Sequence, residues 1–373
     1  MNSNEHHSAA LAVDAAGRPT RTALDGLVRL TAGNRPITGS AGRVVFVESR
    51  THLDYARCLC EYPDDLVFSP EPFSPEPGDA TAAVLTYEGG IKEPGDELLV
   101  ADELFVYTQD YLATPFLAVA GPTIVRISSV ADYEAFLEDA DLARTKGVFV
   151  EQLLNPAVFL ADQCALGTTH PCGYPSLRHL YVSASGEVRT APGGEVLGTI
   201  ASGVDDLIAA AQRLSGAGDV CLNVMVPAQA LDDARRQRPW LSRYLRAIEV
   251  LRGLRSDGRS GYQVSGFGRR LTEGLPGERV EPEEAALLLW NNDEHLICDT
   301  RTRRVFRLGV DAARIVELLL VTGSVERTCE LSAQLLHIDQ DTTRGAIGVI
   351  TKNFAGTDVR LVDLERSVDR ASA

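Results

Sequence analysis

The stretch HLICDTRTRRVFRLGVDAARIVELLL, residues 295–320, decides the fold of the C-terminal part of the chain. Two short apolar runs flank a turn crowded with arginine, which is typical of a β-hairpin. Apolar residues at intervals of three and four follow almost at once and predict an amphipathic helix. The stretch has no obvious nucleophile, no pair of metal ligands and no phosphate-binding loop, so it indicates a binding element.

The flanking sequence extends this pattern. It predicts a strand before the stretch and two helices and a strand after it: LLLWNN (287–292), SVERTCELSAQLL (324–336), DQDTTRGAIGVITKNFAG (339–356) and DVRLVDL (358–364). Asp311 and Ser324 are the expected N-caps of the first two helices, because short polar side chains satisfy the free amides at a helix start. The first three strands and the three helices, in this order, predict a small winged helix-turn-helix.

The whole chain is expected to be a multidomain α+β or α/β protein. Its predicted parts are a flexible N-terminus, an α/β domain, a second α/β region and the C-terminal domain, over residues 1–40, 41–160, 161–284 and 285–373. The first α/β domain alternates β-rich runs with helical spacing. In the second region, 176–200 alternate like a hairpin, DVCLNVMVP (219–227) predicts a strand and 239–258 predict a long helix. Proline and glutamate near residue 284 mark the last boundary.

Composition excludes several classes of protein. With 373 residues, 45% of them apolar, the chain is long enough for two or three globular domains. Its net charge of -16 disfavours nonspecific binding to nucleic acid or anionic membranes, which requires Lys and Arg. Apolar runs stop short of the roughly 18–20 residues that a spanning helix needs. The N-terminus lacks a basic region followed by an apolar core, so we expect a cytoplasmic protein.

The acidic excess is concentrated outside the C-terminal domain. Residues 285–373 carry 13 acidic and 11 basic residues, so this part is less repulsive to an acidic partner than the rest of the chain. The seven cysteines are an odd number spread over a long chain, which argues against a framework of structural disulfides. Most of them are expected to be small apolar core residues.

Residues 287–362 resemble the PqqD-like domain, also called the RiPP recognition element, where RiPPs are ribosomally made peptides modified after translation. The segments that carry the resemblance are RVFRLGVDAARIVELL, SVERTCELSAQLL and DTTRGAIGVITKNF. The resemblance implies that the leader segment of a precursor peptide adds a strand beside RVFRL and packs against the third helix. It implies the peptide-binding residues Arg303, Arg304, Val305, Arg307, Arg344, Ile347 and Thr351.

Alternation along RVFRL assigns the two faces of this strand. Phe306 and Leu308 are expected to face the core, whereas Val305 and Arg307 face the other way. The arginines are either partners for the carboxylates of an acidic leader or an ordinary solvated surface. The third helix departs from the family pattern, because Gly345 and Gly348 each cost about 1 kcal/mol of helix stability relative to Ala.

The remainder of the chain carries a second resemblance. PGDELLVADELFVYTQDYLATPFLAVAGPTIVRI (94–127), LRHLYVSASGEVRTAPGGEVLGTI (177–200) and YQVSGFGRRL (262–271) are similar to the stand-alone recognition proteins of daptide pathways, which make peptides with an aminated C-terminus. The resemblance implies that the chain does no chemistry, holds no cofactor and delivers the precursor to separate enzymes. Those would be an oxidative decarboxylase, an aminotransferase and a methyltransferase.

An enzyme is the alternative, either a RiPP-modifying enzyme or the partner of one, with an active site in the N-terminal domains. Cys164, His170, Cys172 and His179 are metal-ligand types, but their C-x5-H-x-C-x6-H spacing fits no zinc-finger pattern. No P-loop and no G-x-S-x-G elbow occurs, and GFGRRL lacks the third glycine of a dinucleotide-binding loop. A winged-helix transcription factor is disfavoured by the acidic charge and the near-neutral third helix.

Overall fold

The computed structural model describes residues 19–32, 42–70, 82–167, 177–215, 220–222, 224–275, 281, 285–300, 302, 304–355, 357, 359 and 361. The chain divides into two compact units, residues 1–138 with 151–241 and residues 139–150 with 242–373. The protein is of mixed α/β type, with a large sheet of parallel and antiparallel strands plus helices, which confirms the expected multidomain fold class in this coarse form.

The first unit is built on a ten-stranded sheet. Its helices are α1 (Pro19–Ala32), α2 (Leu53–Cys58), α3 (Val130–Lys146, which continues into the second unit), α4 (Gln163–Gly167), α5 (Val204–Ser215) and α6 (Ala228–Gln237). Its strands are β1 (Val44–Val47), β2 (Leu66–Ser69), β3 (Ala83–Gly89), β4 (Glu97–Val100), β5 (Leu104–Asp110), β6 (Thr123–Arg126), β7 (Val158–Leu160), β8 (His179–Val182), β9 (Glu187–Arg189) and β10 (Gly198–Thr199).

The strand order is β10-β9-β8-β1-β2-β3-β4-β5-β6-β7. Two parallel groups, β8-β1-β2-β3 and β5-β6-β7, are joined by the antiparallel strand β4. The hairpin predicted over 176–200 is confirmed as β8 and β9, with residues 183–186 between them. The central strands are buried on both faces, as parallel strands covered by helices require.

One apolar core joins α1 to side chains from β1 through β8. Phe46 lies at its centre and stacks on three other aromatic rings, with 4.5 Å between its ring centroid and that of Tyr87. Ala23, Leu27 and Leu30 bring α1 into this core. Their spacing of four and three residues is a helical signal, so the expectation of a flexible N-terminus is wrong for residues 19–32.

The strand predicted at DVCLNVMVP is also wrong for its described residues. Val220, Cys221 and Leu222 are buried, but they lie in turns. Their backbone bonds to a neighbouring loop, with Glu195 N donating to Val220 O at 2.9 Å. An apolar run of this length is compatible with any buried conformation, which is why its pattern alone misassigned it.

The second unit combines a four-stranded antiparallel sheet with helices. Its elements are α7 (Leu241–Ser256, whose first residue belongs to the first unit), β11 (Gln263–Val264), β12 (Leu287–Trp290), β13 (His295–Cys298), β14 (Val305–Leu308), α8 (Val310–Thr322), α9 (Val325–Leu331, continued by a π-helical turn over Ser332–Leu336) and α10 (Gln340–Phe354). The strands and helices predicted over 287–356 are confirmed in their order.

The ends of some helices and strands differ from those predicted from the sequence. Ser324 is the N-cap of α9, where its Oγ accepts a hydrogen bond from Arg327 N at 3.3 Å. Helix α8 begins after Gly309, so Asp311 lies in its first turn and the predicted cap is wrong. Most of the last predicted strand lies outside the described residues; Val359 and Leu361, which are described, are buried and belong to no strand.

The predicted boundary near residue 284 lies inside the second unit. Strand β11 belongs to a glycine-rich loop, residues 256–284. It pairs with β12 and places Val264 opposite Leu289, so this loop contributes a strand to the C-terminal sheet. Residues 139–150 also belong to this unit. Phe149 contacts Tyr244 and Phe267, at ring-centroid distances of 5.9 and 5.4 Å.

The glycines of GFGRRL serve close packing. Gly266 and Gly268 have φ values of +85° and +69°, in the region that favours glycine. A Cβ on Gly268 would lie 2.2 Å from Gly147 N, because this turn packs directly on the end of α3. Since this steric demand accounts for Gly268, the pair gives no support to a phosphate-binding loop.

Candidate functional site

Strand β14 lies at one edge of the C-terminal sheet, whose order is β11-β12-β13-β14. Within the described residues it pairs only with β13, in a register that places Phe306 opposite Ile297. An edge strand presents one row of backbone N–H and C=O groups that the sheet itself does not use. An extended peptide can therefore add to the sheet at β14.

The register fixes which backbone groups point outward. Asp299 N donates to Arg304 O at 2.9 Å, so these two residues form a hydrogen-bonded pair. Such pairs alternate with non-bonded pairs along an antiparallel ladder. Phe306 is therefore bonded to β13, whereas Val305 and Arg307 direct their N–H and C=O groups to the open edge.

The side chains of β14 divide as the sequence predicts. Phe306 and Leu308 pack against the core of the second unit, and the Phe306 ring meets Phe354 of α10 edge-on, with 5.3 Å between centroids. Val305 is 37% exposed, and the Arg307 side chain is 69% exposed. The predicted facing of this strand is thus confirmed.

The exposed arginines have acidic neighbours within the chain. Arg307 Nε lies 3.7 Å from Glu294 Oε2, and Arg344 Nη1 lies 3.7 Å from Glu326 Oε1. Arg304 is exposed, and Arg303 lies outside the described residues. The Arg344–Glu326 pair is exposed on both sides and contributes at most about 1 kcal/mol, so a peptide carboxylate can compete for Arg344.

Glu294, the acidic neighbour of Arg307, has a pKa below its ordinary value. Burial opposes its ionisation, but hydrogen bonds from Tyr262 and Arg259, with the charges of Arg259 and Arg307, outweigh burial and hold its pKa below the ordinary value. Arg259 Nη2 lies 2.6 Å from Glu294 Oε1. Glu294 is therefore ionised at neutral pH, and its negative charge partly neutralises the positive charge of Arg307.

The predicted peptide-binding residues of α10 differ in their exposure to solvent. Ile347 is only 4% exposed and belongs to the core of the second unit, so in this structure it presents no surface to a peptide. Its burial follows from the helical stripe that it shares with Ile350 and Phe354. Thr351 is half-buried beside this stripe, and Arg344 is exposed.

The side chain of Glu317, in α8, binds the glycine-rich loop through hydrogen bonds. Its carboxylate is fully buried, yet it accepts hydrogen bonds from Ser265 Oγ at 2.5 Å, Leu271 N at 2.8 Å and Thr272 N at 2.7 Å. A buried carboxylate is tolerated where donors surround it in this way. Val316 and Leu319 of α8 belong to the same core as Leu288 of β12, so α8 contacts both the loop and the sheet.

A buried ionic cluster lies in the same unit. Glu281 receives a hydrogen bond from Arg270 Nη1, and its Oε2 lies 4.0 Å from Arg243 Nε. Burial raises the pKa of Glu281, but the charges of Arg243 and Arg270 outweigh it and leave the pKa below its ordinary value. Burial lowers the pKa of Arg243 to about 10, although Glu281 opposes this shift. Both groups remain charged at neutral pH.

Of the four candidate metal ligands, Cys164 and His179 lie within the described residues. His170 and Cys172 lie outside the described residues. Burial, and then the charge of Arg126, lower the pKa of His179 to about 3, so its ring is neutral at physiological pH. Cys164 instead lies 3.8 Å, sulfur to sulfur, from Cys221, which the sequence did not single out. Over the described ranges, no cluster of three or more His, Cys, Asp or Glu side chains could hold a metal ion.

In the described part of the chain, no helix has the length and apolar character to cross a membrane. Comparisons with the models of known protein families, with curated proteins and with solved structures find no match.

Proposed function

We propose that this protein binds the leader segment of a RiPP precursor peptide and has no catalytic activity of its own. In this proposal residues 285–373 contain a PqqD-like winged helix-turn-helix that receives the leader beside β14. The observation that carries the proposal is the open edge of β14, where Val305 and Arg307 direct backbone donors and acceptors outward. The order of strands and helices over 287–354 supports it.

Charge favours an acidic leader. Arg304 and Arg307 are exposed on or next to the edge strand, and Arg344 is exposed on α10. Complementary charge of this kind raises the rate of encounter and fixes register more than it adds affinity. The leader's apolar side chains would then pack near Phe306 and Phe354, which join β14 to α10. Ile347 supports this contact from the core without touching the peptide.

The resemblance to daptide recognition proteins extends the proposal to a pathway. The bound precursor is delivered in the cytoplasm to a separate oxidative decarboxylase, aminotransferase and methyltransferase. This extension rests on the sequence resemblance alone.

The proline variant Val305→Pro tests the edge directly. Val305 N points away from β13, so proline removes an outward donor while the ladder to β13 keeps its hydrogen bonds. We expect the affinity for the leader to fall more than tenfold, which corresponds to roughly 1.4 kcal/mol or more. The measurement is isothermal titration with a synthetic peptide that carries the leader sequence of the precursor.

Val305→Thr is the matched control, because threonine keeps the N–H, the β-branched shape and the strand propensity. It should bind within a few-fold of the native chain. Equal affinities for a folded Val305→Pro variant and the native chain would move the binding edge elsewhere. A native chain that gives neither heat nor a fluorescence change at micromolar peptide would remove the proposal altogether.

A further inference from the structure

Two buried thiols face each other in the first unit. The Sγ atoms of Cys164 and Cys221 lie 3.8 Å apart, although 57 positions separate the residues along the chain. Each residue is at most 2% exposed. A disulfide has a sulfur–sulfur distance of about 2.05 Å, so forming the bond requires the two sulfurs to approach each other from this contact distance.

The surrounding structure holds both thiols in place. Cys164 lies in α4, whose backbone accepts a hydrogen bond from the buried Arg235 at Ala165 O. On the other side, the Thr190 hydroxyl lies 3.2 Å from Cys221 Sγ and 3.3 Å from Val220 O. A Cβ on Gly194 would lie 2.6 Å from Val220 O, so the loops around Cys221 are tightly packed. The two sulfurs therefore stay together in the folded chain.

We propose that Cys164 and Cys221 are a site of reversible oxidation, which a peroxide converts to an intramolecular disulfide. One thiolate attacks a peroxide oxygen, the O–O bond breaks, and a sulfenic acid and one water form. The second sulfur then displaces the sulfenic oxygen, which leaves as a second water. The two thiols give up two protons and two electrons in total, and hydrogen peroxide takes up both.

The Thr190 hydroxyl can donate its proton to Cys221 Sγ, which lies 3.2 Å away. A hydroxyl that donates to sulfur favours the thiolate, which is the reactive form. Burial, strengthened by the Asp65 carboxylate, instead raises the pKa of Cys60 to about 12. The Cys60 thiol donates to Ala56 O. Cys60 is thus a buried cysteine that should stay reduced under the same treatment.

The experiment treats the full-length reduced protein with hydrogen peroxide, blocks the remaining thiols with N-ethylmaleimide in denaturant and maps non-reduced peptides by mass spectrometry. The expected product joins the peptides of Cys164 and Cys221 and weighs about 2 Da less than their sum, since two hydrogens are lost. Thr190→Val should slow its formation several-fold, because valine cannot donate to the sulfur. Cys60→Ala should leave the rate unchanged.

A second readout needs no variant. Closing the long loop between residues 164 and 221 restricts the unfolded chain, so the oxidised protein should melt at a higher temperature than the reduced one. Reduction by dithiothreitol should reverse the shift. The proposal fails if peroxide links other cysteines equally often, if both thiols stay open to N-ethylmaleimide, or if the pair co-purifies with one equivalent of zinc.

Discussion

Glu281→Gln is expected to lower the free energy of unfolding of the second unit by about 3–5 kcal/mol at neutral pH, because it breaks a buried ion pair on one side. Arg270 and Arg243 would both lose the charge of the Glu281 carboxylate, and the Arg243 side chain is only 4% exposed. Glutamine keeps the size of the side chain, so packing changes little. Urea unfolding followed by near-UV circular dichroism measures the difference.

The pH dependence supplies a second test of the same group. The folded pKa of Glu281 is lower than the unfolded one, so its stabilisation is fully present above the unfolded pKa of about 4.3. It is lost as the pH falls through the depressed folded pKa. Acid unfolding of the native chain should therefore be steeper below pH ~4 than that of Glu281→Gln. Parallel acid transitions in the two proteins would show that this carboxylate is not coupled to folding.

Glu330→Gln is the matched control, since Glu330 forms an exposed ion pair with Arg327, at 2.7 Å. The same substitution on the surface should change the free energy of unfolding by less than about 1 kcal/mol. A loss of similar size at both positions would mean that burial of the Glu281 pair is not what stabilises the unit. Because the chain has two units, the two transitions are resolved separately by calorimetry before the values are compared.

Glu317→Gln is expected to lower the free energy of unfolding by about 3 kcal/mol, because it leaves buried hydrogen-bond donors without an acceptor. Two backbone donors, Leu271 N and Thr272 N, bond to its two carboxylate oxygens, and Ser265 Oγ bonds to one of them. An amide NH2 in place of one oxygen turns a donor toward a donor, and each unsatisfied buried group costs about 1–3 kcal/mol. Thermal unfolding and hydrogen exchange of the Leu271 and Thr272 amides measure the effect.

Hydrogen exchange and thermal unfolding together distinguish local opening of the glycine-rich loop from unfolding of the whole second unit. Early exchange of both amides, with the sheet still protected, would show that Glu317 chiefly holds the glycine-rich loop. Peptide binding at β14 should survive in this variant at low temperature, because β11 lies at the opposite edge of the sheet. Unchanged exchange at Leu271 and Thr272 would contradict the role of the carboxylate.

Local patterns in the sequence predict the C-terminal elements and the facing of β14. Alternation places Phe306 in the core and Arg307 outside, and helical spacing places the later helices. The same reasoning did not find that Ile347 is buried, because a helix face is assigned only when the elements packed against it are known. Ile347 shares the core stripe of Ile350 and Phe354.

Long-range contacts account for the rest of the differences. Strand β11 is two residues long, and its pairing with β12 depends on residues more than twenty positions away. Likewise, the Cys164–Cys221 contact and the buried partners of Glu317 join distant segments whose spacing carries no signal. Helix α1 is the exception, because the spacing of Ala23, Leu27 and Leu30 was visible in the sequence.

The second unit consists of two stretches that are separate in the amino-acid sequence, and this limits where the protein can be truncated. A truncated protein that begins at residue 242 or 285 lacks residues 139–150. It would leave Phe267 without Phe149 and without the Arg144 guanidinium, which lies 5.8 Å from the ring centre. Studies of the second unit in isolation should therefore attach residues 139–150 to it or keep the whole polypeptide.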